Sequence, residues 1–176
     1  VSEGVLVAGV GNIFLRDDGF GPEVVRHLQG AGQTSLPSDV RLVDYGIRGL
    51  HLCYDLLEGY QALIIIDALP GNREPGEVTV MSVGPDDLAQ TNGSYDPHGM
   101  DPVAVLTGLP TIGGTLPPTY VVGARPADLS EGIGLSEPMQ FAVPVAVTAV
   151  RGLLADRPWL RSARGDDHAT AAARKG

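Results

Sequence analysis

The stretch VLVAGVGNIFLRDDGFGPEVVRHL, residues 5–28, decides the fold. It opens on VLVAGV, a continuous apolar run ending at a glycine, as expected of a β-strand buried on both faces. The chain then turns and restarts at Gly21-Pro22-Glu23. Proline suits the first helical position, and an acid in the first turn suits the helix dipole. Val24, Val25 and Leu28 supply the apolar face of this helix, and Gly30 ends it. Between strand and helix lie two features that point in opposite directions. Gly9 and Gly11 frame Val10, as in a loop that cradles a phosphate, yet Asp17 and Asp18 follow where such a loop would want positive or neutral groups.

The alternation continues down the chain. VRLVDYG (40–46) reads as a second strand and LHLCYDLLEG (50–59) as a second helix closed by Gly59. ALIIIDAL (62–69) is the most apolar strand and is expected at the centre of the sheet, followed by a fourth strand, VTVMSV (78–83). A helix near 100–108 precedes a fifth strand, TYVVGA (119–124). A last helix runs from Pro138 to about Ala155, with Pro144 inside it and expected to kink it. Strands alternating with helices predict an α/β sandwich on a largely parallel sheet. Only eight residues, PGNREPGE, join strands three and four. A parallel crossover needs roughly a dozen or more, so strand four is predicted to run antiparallel.

At 176 residues the chain suits one domain with its own core. It reads as a single domain over residues 1–155 with a flexible basic tail over 156–176. The charge is uneven: 18 acidic against 6 basic side chains in residues 1–150, but 3 against 6 in residues 151–176. The overall balance of −9 argues against a nucleic-acid partner. A bilayer-spanning segment needs ~20 apolar residues, and no run of that kind is expected here. The start of the sequence lacks a basic segment and a small-residue cleavage site, and Cys53 is the single cysteine. Together these give a cytoplasmic expectation.

In open α/β sheets, ligands sit beyond the carboxyl ends of the parallel strands. Asp18 lies in the loop after strand one, Asp44 ends strand two, and Asp67 ends strand three. His98, in YDPHGMD, opens the helix before strand five. Two carboxylates and an imidazole, far apart in sequence, should therefore meet at one edge. An anion site there fails on chemistry. The dinucleotide pattern wants a third glycine where Phe14 stands, and a P-loop wants a lysine, whereas the sole lysine is Lys175. A phosphoryl-accepting receiver domain needs a lysine near strand five, and only Arg125 is present. A cation site fits the donor types, since carboxylate and imidazole suit Zn, Ni, Co or Fe(II). Spacing alone leaves the bland readings open: a helix-cap acid at Asp18, a strand-end acid at Asp67, a capping histidine at His98.

Four stretches carry a resemblance: VLVAGVGNIFLRDDGFGPEVVRHL, ALIIIDAL, DPHGMD with its following helix, and VVGARPADLSEGIGLSEPM. With the proline-containing last helix, they resemble the maturation endopeptidases of nickel–iron hydrogenases over nearly all of residues 5–155. The resemblance implies a three-layer α/β/α sandwich with a five-stranded, mostly parallel sheet whose fourth strand is antiparallel. It implies an endopeptidase that removes the C-terminal extension of a hydrogenase large-subunit precursor after nickel insertion. Asp18, Asp67 and His98 would be the catalytic and nickel-contacting residues. The nickel would come with the precursor, with no tightly bound metal of the protein's own, and the protein would act as a monomer.

After strand two the family commonly shows D-G-G-T-x-G, where this chain has Asp44-Tyr45-Gly46-Ile47-Arg48-Gly49. Gly46, Arg48 and Gly49 are the expected substrate-binding residues of that turn. Two chemistries stay open: water attack assisted by the metal, or an Asp18/Asp67 pair sharing a proton as in aspartic proteases. A rival of another class is a non-cleaving, nickel-dependent chaperone for the precursor. The remaining candidates read as bland: Cys53 in the core, His27 and His51 on or beside helices, His168 in the tail. Asp17 reads as a supporting or solvent-facing acid, and Trp159 as an anchor after the last helix.

Overall fold

The computed structural model describes residues 4–30, 36–84, 87 and 106–162. Five strands form one sheet: β1 (Val5–Val10), β2 (Val40–Gly46), β3 (Ala62–Ala68), β4 (Val78–Val83) and β5 (Thr119–Ala124), in the order β2-β1-β3-β5-β4. The first four in that order are parallel, and β4 alone runs antiparallel, against β5. The short connection after β3 thus has the consequence expected of it. β3 lies in the middle with every residue buried.

Period-two alternation divides the two buried strands between two cores. Val5, Val7, Ala62, Ile64 and Ile66 face α1 (Phe20–Gln29) and α3 (Glu137–Asp156) on one side. Leu6, Ala8, Leu63 and Ile65 face α2 (Gly49–Leu56), Leu106 and Leu109 on the other. These are the three layers. Asp67 has the parity of Leu63 and Ile65, which places it on the α2 side at the carboxyl end of β3.

The expected helix near 100–108 lies outside the described residues, except that 106 and 107 are helical. Pro144 does not interrupt α3. It sits on the exposed face, as does Gln140 four residues earlier, so a carbonyl that loses its usual partner there can be solvated. By length and mean hydropathy, 1.3, the helical stretch Glu137–Arg161 could cross a bilayer, contrary to the sequence expectation. Within the fold, Met139, Ala142, Val143, Ala146, Val147, Val150 and Leu154 of this helix are buried.

The packed chain continues past residue 155. A short helix, α4 (Pro158–Ser162), sets Trp159 into the core with its ring centroid 5.9 Å from that of Tyr120. Just before it, Arg157 makes two hydrogen bonds to the Asp39 carboxylate, at 2.7 and 2.9 Å. The end of α3 is thereby tied to the start of β2.

Candidate active site

The acid pair sits on a 3-10 turn, Arg16–Gly19, between β1 and α1. Two glycines let it approach the sheet. Gly11 has φ +131°, and a Cβ added to it would lie 1.8 Å from the carbonyl oxygen of Asp18. Gly21, in the first turn of α1, rests on the strands so closely that a Cβ would meet the carbonyl oxygens of Val10 and Ile66, each at 2.3 Å. Any side chain at either position would push the turn off the ends of β1 and β3.

The two acids of the pair have different environments. Asp18 is partly exposed, and its Oδ2 accepts a hydrogen bond from the Asn12 amide at 2.7 Å. Asp17 is fully buried. Its Oδ2 accepts from the amides of Ala127 and Asp128 and from the Ser136 hydroxyl, each at 2.8 Å, and its Oδ1 accepts from the Ser136 amide at 2.7 Å. It is a strut between loops and neither a solvent acid nor one facing a ligand. The doublet was visible in the sequence; which member turns inward was not, because the donors come from more than a hundred residues away.

Those donors belong to the loop between β5 and α3, and the two loops are stitched in other ways. Arg16 N donates to Gly132 O at 3.0 Å, Gly132 N to Phe14 O at 2.9 Å, and Asp17 N to Asp128 O at 3.1 Å. The Arg16 guanidinium lies 3.3 Å from the Asp128 carboxylate. The hydrogen bonds that Ser130 makes to Asp128, and secondarily the nearby Arg16, hold the Asp128 carboxyl below the usual range.

Asp67 is 6% exposed at the end of β3, where its Oδ1 accepts from the Ala68 amide at 2.8 Å. β1 and β3 are neighbours, with Gly9 opposite Ile66, and the turn carrying Asp18 packs against β3. The structure therefore brings Asp18 and Asp67 to one edge from adjacent strands. His98, the third expected member, lies outside the described residues. Among the described residues no three His, Cys, Asp or Glu side chains gather as a metal-binding group.

The loop after β2 closes the same edge. Gly11 N donates to Gly46 O at 3.0 Å, and Gly46, with φ +54°, has its own amide bonded to Asp44 Oδ1 at 2.9 Å. Tyr45, where the family pattern has glycine, turns inward and is buried, and its hydroxyl donates to Asp55 on α2. Burial first, and then that bond, push the phenol far above its ordinary range. Asp55 is also paired with Arg41 at 3.0 Å. Arg48 folds back on its own loop: Nη2 donates to Asp44 O at 2.6 Å and Nε to Tyr45 O at 3.2 Å. Its residue remains exposed, as does Ile47 beside it, while Gly49 is buried at the start of α2.

Around the acids the loops present apolar side chains to solvent. Ile13 and Phe14 follow β1, Ile47 and Leu50 follow β2, and Leu129 and Ile133 follow β5. Ile13, Asp44 and Ile133 line one groove of about 800 Å³ that continues along α1 past Arg16, Glu23 and His27. Burial raises the Cys53 thiol, as befits a core cysteine. His27 bonds the Glu23 carbonyl on its own helix at 3.0 Å, and His51 is exposed.

Residues 22–152 match the family model described as hydrogenase maturation protease, HycI. That range starts just past the acid pair and contains Asp67 and His98. The hydrogenase expression/formation protein HupD of Rhizobium leguminosarum bv. viciae is 32% identical over 159 residues, 88% of this chain and 75% of that protein. The hydrogenase 2 maturation protease of Escherichia coli is 30% identical over 151 residues, 85% of this chain and 90% of the other. Among solved structures, the hydrogenase maturating endopeptidase HybD from E. coli superposes with a TM-score of 0.74 at 28% identity, covering 88% of this chain and 93% of its own. The sheet order, the antiparallel β4 and the helical layers agree with that likeness, and this chain belongs to the hydrogenase maturation protease family, as a peptidase of hydrogenase maturation.

Proposed function

We propose that this protein removes the C-terminal extension of a nickel–iron hydrogenase large-subunit precursor once nickel has been inserted, and that it recognises the precursor through that nickel. The observation that carries this reading is the convergence of Asp18 and Asp67 at one edge of the sheet, from neighbouring strands, within a fold shared with maturation endopeptidases. Asp18 keeps Oδ1 without a hydrogen-bond partner among the described residues, so it can take a ligand without breaking the bond from Asn12. Carboxylate oxygens, with His98 as a nitrogen donor, form a borderline set that suits nickel.

Nickel belongs to the substrate here. When the precursor brings it, the metal supplies Lewis acidity toward the scissile carbonyl. The protein's own residues have simpler tasks. Asp18 and Asp67 orient the loaded precursor, and one of them accepts the proton of the attacking water. The apolar rim of Ile13, Phe14, Ile47 and Ile133 covers the tail and limits water around the reacting bond. A proton shared between Asp18 and Asp67 remains the second chemistry. Three donors from one protein leave coordination incomplete, so cleavage would be coupled to nickel insertion: the set becomes adequate when the precursor's own ligands complete it.

Intact-mass spectrometry of nickel-loaded precursor tests the reading. A mass loss equal to one C-terminal segment, dependent on this protein and on nickel, supports it. A stable complex with both masses unchanged favours the non-cleaving chaperone.

A further inference from the structure

Among the described residues two carboxylates are buried, Asp67 and Asp17. The first belongs to the proposed chemistry; the second has no part in it. Fastening two loops does not by itself call for a buried carboxylate, because three backbone hydrogen bonds already join them. Asp17 does something those bonds do not. It gathers the amides of Ala127, Asp128 and Ser136 and the Ser136 hydroxyl around one group, which fixes the chain's path from the end of β5 to the start of α3. Four donors suit an acceptor-only side chain.

The position in the turn matters as much as the bonds. Successive residues of a 3-10 turn point about 120° apart. Pinning Asp17 inward therefore fixes the direction of Asp18, whose Oδ2 then meets the Asn12 amide. Arg16, immediately before, has φ +46°, an unusual conformation for a residue with a side chain, and it is held there by its pairing with Gly132.

We infer that Asp17 is a positioning residue: its buried carboxylate aims Asp18 into the site and locks the loop bearing Leu129 and Ile133 beside it. The catalytic part of this inference rests on the protease reading above; the geometric part does not.

The test uses Asp17→Asn, with Ser136→Ala as a milder partner. An asparagine has one acceptor oxygen, so whichever way its amide turns, its NH2 faces an N–H of the loop. At a temperature where every variant is folded by circular dichroism, Asp17→Asn is expected to lower kcat on nickel-loaded precursor at least tenfold. In the unliganded protein, hydrogen exchange at the Asn12 amide, which reports where the Asp18 carboxylate lies, is expected to speed up at least tenfold. A strut that merely fastens loops would leave that amide unchanged. Folded Asp17→Asn with wild-type kcat, or with wild-type exchange at Asn12, overturns the inference. If Asp17→Asn does not fold, Ser136→Ala decides: kcat reduced severalfold with faster exchange at Asn12 supports it, and wild-type values of both overturn it. If the wild-type protein cuts nothing, the protease reading falls, and exchange at Asn12 still judges whether Asp17 aims Asp18.

Discussion

At the scale of single residues, Asp67 is the sharpest case. It is nearly buried at the carboxyl end of β3, where its Oδ1 accepts the hydrogen bond of the Ala68 amide. Asp67→Asn keeps the shape and an oxygen for the Ala68 amide, so its melting temperature should stay within a few degrees of wild type. Processing should fall at least a hundredfold in a gel assay of precursor cleavage, and a variant that cuts at the wild-type rate would remove Asp67 from the chemistry. Arg48 needs a more divided expectation. From sequence it reads as a substrate-binding residue, and the fold adds two hydrogen bonds to carbonyls of its own turn. Its partly used guanidinium keeps donors for a docked tail. Arg48→Ala should cost about 0.5–1.5 kcal/mol in urea unfolding and weaken precursor binding roughly tenfold, or about 1.4 kcal/mol. Arg48→Lys should recover only part of each, because an ammonium lacks the planar fork. Loss of binding without any loss of stability would mean that the two carbonyl contacts contribute nothing in solution.

At the scale of elements, the β1–turn–α1 unit carries the site, and two glycines set its shape. Gly11→Ala puts a methyl group 1.8 Å from the Asp18 carbonyl at a φ that alanine resists. The turn must move, so the variant should lose at least about 2 kcal/mol of stability and nearly all processing, measured by denaturant titration and the cleavage assay. Tolerance of Gly11→Ala with full activity would show that the position of the acid turn is not critical. The same unit shows what can be read from sequence. Apolar runs, the Gly-Pro helix start and the eight-residue link after β3 are local signals, and each produced the element it predicts. The inward turn of Asp17 and of Tyr45 was not legible. Each depends on partners that only tertiary folding supplies, the loop after β5 for one and Asp55 on α2 for the other. Nor were the bonds of Arg48 to the carbonyls of Asp44 and Tyr45 legible, since they form across a turn in which Gly46 takes a positive φ.

At the scale of the whole molecule, distant segments are held by a few clamps. Arg157 and Asp39 join the end of α3 to the start of β2 across 118 residues. Hydrogen bonding to Arg157 is the main cause that holds the Asp39 carboxyl below its ordinary value of 3.8, against an opposing push from burial. A carboxyl lowered on folding contributes stability above its unfolded pKa and loses it as the pH falls through the lower, folded value. The stability difference between wild type and Asp39→Asn should therefore be constant above about pH 5 and shrink below about pH 4. A difference that persists undiminished at pH 2 would contradict the clamp. A second expectation concerns metal. On the proposal that the precursor's ligands complete the donor set, the purified protein should retain far less than one equivalent after dialysis against a chelator, and a stoichiometric zinc that survives would point to an ordinary metalloprotease.

In the proposed function, Asp18 and Asp67 turn this α/β fold into a nickel-dependent cutter of a precursor's tail. Intact-mass spectrometry on four samples tests it most directly: precursor with and without nickel, each incubated with wild-type protein or with Asp67→Asn. One C-terminal segment should be lost from the nickel-loaded precursor with wild-type protein and from none of the other three. Cleavage of the nickel-free precursor, cleavage by Asp67→Asn, or an intact nickel-loaded precursor in the presence of the wild-type protein would contradict it.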